Sequence, residues 1–137
     1  MIERLRALLD PLDGADVECD GMARLVSTVL ARERIEHRTF VGQLQLDGQT
    51  VRSHFWTEVG PLLIDYRARM WLGFRDDAPH GVCVKSDLAA QYQGEEFPLD
   101  PLPAHVFRLL SLPRTAFSLD QLGVDADAPA PKPTGLR

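Results

Sequence analysis

The sequence predicts an α+β fold, with helices packed on an antiparallel β-sheet. Two observations carry this. Apolar residues recur at helical spacing over 2–12 and again over 19–34, and the period then drops to two from residue 38 to residue 66. Within that stretch, "DG" at 47–48 and "VG" at 59–60 mark tight turns, so 38–66 reads as a three-stranded meander.

Each element has its own signal. Ile2, Leu5, Leu8, Leu9 and Leu12 line one face of a first helix that should end near Pro11. "DGAD" at 13–16 is turn material. The second helix should run from about Cys19 to Arg34, with Met22, Leu25, Val26, Val29 and Leu30 as its packing stripe and Asp16 as its cap. The three strands are "HRTFVGQLQL", "TVRSHFWTEV" and "PLLIDY". Proline is acceptable as the first residue of the last one. After Tyr66 the pattern is weaker. "RARMWLGF" reads as a strand extension or a short helix, "VCVK" as a strand, and "SDLAAQYQGEEF" has no clear period. "DPLPAHVFRLLSLP" reads as a third helix opened by proline and closed before Pro113.

The bulk numbers bound the class. The chain has 137 residues, which suits one domain, assigned here to 1–122. Residues 123–137 are rich in Pro, Ala and Asp and read as a flexible tail. A net charge of -5 argues against nucleic acid or an anionic membrane as partner. No apolar run is long enough to span a bilayer, and no signal peptide is evident, so a cytoplasmic address is expected. Two cysteines make no disulfide framework. "HGVC" at 80–83 looks like half a zinc site, but Cys19 with His37 or His54 offers no helpful spacing for the other half. No metal and no cofactor are therefore expected. Cys83, Trp71 and Phe74 read as core residues, although the two aromatics could also line a groove.

Two-residue loops at both turns set a register. Glu58 then faces Pro61, His54 faces Asp65, and Phe40 faces Phe55. Phe40, Leu44, Val51, Phe55, Leu62 and Ile64 would form the core face. Val41, His54, Trp56, Leu63 and Asp65 would share the other. Directly opposed side chains on one face have Cβ atoms roughly 4.5–5.5 Å apart, which suits a carboxylate orienting an imidazole.

Cys19 stands just ahead of the packing stripe, where a helix N-terminus favours a thiolate. A histidine within reach moves protons, and a carboxylate holds the histidine in one orientation. Taken singly, each residue has a plain structural reading: Cys19 as a small core residue, His54 as a satisfied structural histidine, Asp65 as a strand-end carboxylate. The flanking acids Glu18 and Asp20 weigh against an activated thiol. The register argument is what brings the three together.

"CDGMARLVSTVLARERIEHRTFVG", "SHFWTEVG" and "PLLIDY" together resemble the transglutaminase-like superfamily of the papain-like fold. Its members show a cysteine opening a helix, a histidine near "HxWxEV" on one strand and an aspartate near "xxxIDP" on the next. The resemblance covers roughly residues 15–67. It implies Cys19 as nucleophile, His54 as general acid/base and Asp65 as the orienting acid. It also departs from the family. Members carry an oxyanion-binding side chain before the cysteine helix, whereas residues 1–18 contain no Trp or Gln, so the Cys19 N–H is the one donor the sequence names. Tyr66 replaces the proline after the aspartate.

Trp56, Val41 and Tyr66 are the expected substrate contacts. The leader peptidases of lasso-peptide biosynthesis are similar in size and in their "HAWVE"-like stretch, which makes cleavage of a peptide or small-protein amide the expected reaction. Deamidation is the variant of that chemistry. The alternatives are an inactive fold kept as a peptide- or protein-binding module, and an amide- or thioester-dependent acyltransferase. The resemblance also leaves room for a partner subunit that completes the site.

Overall fold

A computed structural model describes residues 1–113, so the tail assigned to 123–137 and the end of the assigned domain lie outside the described residues. The chain runs α1 (Ile2–Leu9), a 3₁₀ turn (Asp10–Gly14), α2 (Cys19–Arg32), β1 (Arg38–Leu46), β2 (Gln49–Val59), β3 (Leu62–Asp65), α3 (Arg69–Leu72), β4 (Gly81–Val84), β5 (Gln91–Glu96) and α4 (Ala104–Ser111). The fold is α+β with one five-stranded antiparallel sheet, ordered β4-β3-β2-β1-β5. The unclear stretches after Tyr66 resolve into α3 and β5. The stretch "RARMWLGF" thus holds a one-turn helix, and "QYQGEE" is an edge strand paired with β1.

α2 begins at Cys19. Its cap residue is Glu18, which makes no side-chain cap bond, so the cap position falls two residues after the expected Asp16. The Asp20 carboxylate instead accepts the Gly21 N–H at 2.8 Å. Gly21 permits a close approach, because a Cβ there would stand 2.7 Å from the Val17 Cβ.

The strand register differs from the expected one in two places. In the first hairpin, Asp47 and Gly48 both take positive φ (54° and 81°), and Leu46 pairs with Gln49 as expected. Further along, one β1 residue (Gln43) spans two β2 residues (Arg52 and Ser53). Ser53 adopts φ 55°, the strained residue of this bulge. Phe40 therefore pairs with Trp56 rather than Phe55, and Gly42 pairs with His54. In the second hairpin the loop residues are Gly60 and Pro61, with Val59 opposite Leu62. Gly60 supplies φ 53°, and proline's fixed negative φ suits the next position.

These shifts sort the apolar residues into two layers. On one face, Val59, Leu62, Ile64, Tyr66 and Val82 pack with Leu5, Leu9, Met22, Leu25, Val26 and Leu30 from the helices. Burying each such leucine contributes on the order of 2 kcal/mol. On the other face, Leu44, Leu46, Trp56, Leu63 and Tyr92 pack under Ala68, Leu72 and Ala78, with Phe40 and Val51 at the margin. Phe40, Leu44 and Val51 thus leave the face on which they were expected to join Phe55 and Ile64. Trp71 and Phe74 are 56% and 90% exposed, so they are not core residues. Among the described residues, no helix is long and apolar enough to cross a membrane.

Candidate active site

His54 and Asp65 meet inside the protein. His54 is fully buried and Asp65 nearly so, and His54 Nε2 lies 2.6 Å from Asp65 Oδ2. The two are not directly opposed, as the sequence register had them. Continuing the observed β2–β3 pairing puts Asp65 level with Trp56, so His54 reaches it diagonally across a shared face.

The carboxylate is held on both oxygens. Asp65 Oδ2 also accepts the Tyr92 hydroxyl at 2.8 Å, and Oδ1 accepts the Arg67 N–H at 2.9 Å. With three donors on it, the buried charge is compensated rather than stranded.

Cys19, at the first turn of α2, is partly exposed at the end of the same strand pair. Its thiol donates to the Ser53 carbonyl at 4.0 Å, so the bulge brings β2 backbone against the start of α2. Burial favours a neutral His54, but the charge and hydrogen bond of Asp65, with a smaller contribution from Cys19, outweigh it and push the pKa from 6.5 up to about 10. His54 Nδ1 is buried and has no hydrogen-bond partner. Nε2 is committed to Asp65, so Nδ1 is the ring nitrogen left uncommitted among the described residues.

Arg67 ties the Asp65 carboxylate to the segment that leads into α2. Its guanidinium donates to the carbonyls of Asp13, Ala15, Val17 and Tyr66 and to Asp13 Oδ1, at 2.7–2.9 Å. All five of its N–H groups are used. Asp13 is shared further, with His80 Nε2 at 2.9 Å.

Of the three expected substrate contacts, Trp56 and Tyr66 line a cavity of about 10 Å³ together with Cys19, and all three are buried or half-buried. Trp56 is 2% exposed and stacks on Phe40 at 5.7 Å, and its indole N–H donates to Glu58. Tyr66 is buried on the helix-facing side, and its hydroxyl donates to Asp10 at 2.7 Å. Val41 is half-buried opposite Phe55. A groove of about 320 Å³ does open beside Cys19, lined by Glu18, Asp20, Arg52, Ser53, Phe55 and Trp71. Tyr92 and Arg67 were not identified by sequence reasoning, whereas Trp71 lines the groove that was its second reading. The first two act across 27 and about 50 residues of chain, a separation no local pattern signals.

Cys83, expected in the core, lies on β4. It is half-buried, and burial raises its pKa. Among the described residues no three His, Cys, Asp or Glu side chains converge as a metal site. No family model, no curated protein and no solved structure matches this chain.

Proposed function

We infer that this protein is a cysteine hydrolase of transglutaminase-like type, cleaving a peptide or protein amide through an acyl-enzyme. One observation supports the reading above others: a buried His54–Asp65 pair at 2.6 Å that shares the end of a strand pair with a thiol at a helix N-terminus.

The chemistry follows from the groups in place. With His54 protonated, the imidazolium and the N-terminus of α2 favour a Cys19 thiolate. The sulfur attacks the amide carbonyl and forms a C–S bond. Oxyanion charge falls near the N–H groups of Cys19 and Asp20 in the first turn of α2, a position where helix N–H groups lack intrahelical acceptors. The C–N bond breaks as His54 gives its proton to the leaving amine. Neutral His54 then takes a proton from water. The resulting hydroxide attacks the thioester and releases the acid, and the thiolate–imidazolium pair returns. Asp65 keeps the ring oriented throughout.

A second reading is a binding module that retains the fold. Glu18 and Asp20 lining the same groove as Cys19 favour it.

One experiment separates the two. Iodoacetamide at limiting dose should alkylate Cys19 roughly tenfold or more faster than Cys83 at about pH 5–6, and His54→Ala should erase the difference. Unfolded casein should be cleaved by the native protein and not by Cys19→Ser. Equal, slow labelling of both cysteines, unchanged by His54→Ala, rejects the enzyme.

A further inference from the structure

β2 has 11 residues and β3 has four, and β3 pairs only with its last part, at Thr57–Val59. The segment Gln49–Ser53 therefore has β1 on one side and no strand on the other. Among the described residues, no backbone hydrogen bond from outside the sheet reaches this segment. Gln49, Thr50, Arg52 and Ser53 are exposed.

This bare edge leads to the nucleophile. The Ser53 carbonyl is the group that Cys19 Sγ contacts at 4.0 Å. The groove at Cys19 continues into a second one, of about 420 Å³, lined by Gln49, Thr50, Val51, Arg52 and Trp71. Trp71 and Arg52 border both. Trp71, from α3, is a large apolar side chain 56% exposed along this path, although neighbouring Leu72 is buried. At about 3.3 Å per residue, Gln49–Ser53 is roughly 16 Å long, matching about five residues of extended chain.

We propose that the free edge of β2, Gln49–Ser53, is the substrate-docking strand: an extended peptide adds to it main chain to main chain, under Trp71, and delivers its scissile carbonyl to Cys19. This deepens the hydrolase reading and rests on it. It names the substrate class as an extended, unfolded peptide segment, in preference to a small acyl thioester or a glutamine side chain on a folded surface. The occupant follows from what the groove offers. Unpaired backbone donors and acceptors recognise another backbone whatever its sequence. The segment's continuity with the Cys19 groove then sets where that backbone must end.

The test uses peptidyl vinyl sulfones, acetyl-(alanine)n-glycine vinyl sulfone with n from zero to four, on the full chain. The Cys19 sulfur adds to the vinyl carbon β to the sulfone, the one bonded to the glycine methylene, and the carbon beside the sulfone takes the proton from His54. Alkylation of Cys19, read by mass spectrometry, should accelerate about tenfold or more with length and then level off, the equivalent of one to two main-chain hydrogen bonds. N-methylation of single amides should remove most of that gain at alternate positions only, because an added strand pairs through every second residue. Trp71→Ala should lower the ratio of long-probe to short-probe rates. Rates independent of length, or insensitive to N-methylation at every position, overturn the proposal while His54-dependent iodoacetamide labelling keeps the hydrolase reading standing. Loss of that His54 dependence instead rejects the hydrolase reading itself. A sedimenting dimer that excludes the long probes would mean that a second copy of the chain takes the edge, and would also overturn the proposal.

Discussion

Tyr92 Oη donates to Asp65 Oδ2 at 2.8 Å, the same oxygen that pairs with His54 Nε2. Tyr92 sits on β5, two strands away from β2 in the sheet order. Its contact makes the edge strand part of what holds the His54–Asp65 pair. Burial and the neighbouring Asp65 charge raise the Tyr92 pKa, so the hydroxyl stays a donor across the working pH range. Tyr92→Phe should keep the fold, lower stability by about 1 kcal/mol in urea denaturation and slow Cys19 alkylation several-fold. Unchanged stability together with an unchanged alkylation profile from pH 5 to 10 would show that the contact does not position Asp65.

Stability should depend on pH through His54. Its folded pKa, about 10, lies above the unfolded 6.5. The folded state therefore holds the proton more tightly. The resulting stabilisation is complete below pH 6.5, falls as pH rises, and is lost once pH passes about 10. Cys19→Ser removes the thiol from this window, and urea melts of that variant should show the decline. Adding Asp65→Asn should flatten it, since Asp65 is the main group raising the value.

Arg67 should not tolerate lysine. Lysine keeps the charge but cannot reach the carbonyls of Asp13, Ala15, Val17 and Tyr66 with one planar group. Buried acceptors would lose their donors, so Arg67→Lys should cost about 3 kcal/mol. It should also slow labelling of Cys19, because the 13–17 segment leads into α2. Thermal denaturation and alkylation rates measure the two effects separately.

Gly21→Ala should destabilise although alanine is the better helix former by about 1 kcal/mol. The added Cβ would stand 2.7 Å from the Val17 Cβ, so α2 or its approach must shift. A loss of about 1–3 kcal/mol is expected. Val17→Ala/Gly21→Ala should lose less than the sum of the single changes, as a double-mutant cycle would show.

The helical stripe of α2, with Cys19 ahead of it, was legible from spacing alone, as was the tight turn at Asp47-Gly48. These depend on residues close in the chain. So did the shared face of His54 and Asp65, for a less direct reason. The turn lies at Gly60-Pro61 rather than Val59-Gly60, and the pairing slips by an even number of positions, which preserves the face in a period-two element. The bulge at Arg52–Ser53 is an odd slip, and it moved Phe40, Leu44 and Val51 to the opposite face from Phe55. It depends on how β2 meets both β1 and Cys19, and its strand gives no local sign of it. Tyr92 on Asp65, Arg67 across the 13–17 segment, buried Trp56 and exposed Trp71 are likewise decided by contacts between distant parts of the chain. The sequence by itself determined which chemical groups are available and on which kind of element. Only the tertiary structure decided which of them meet, because pairing and burial are set by long-range packing.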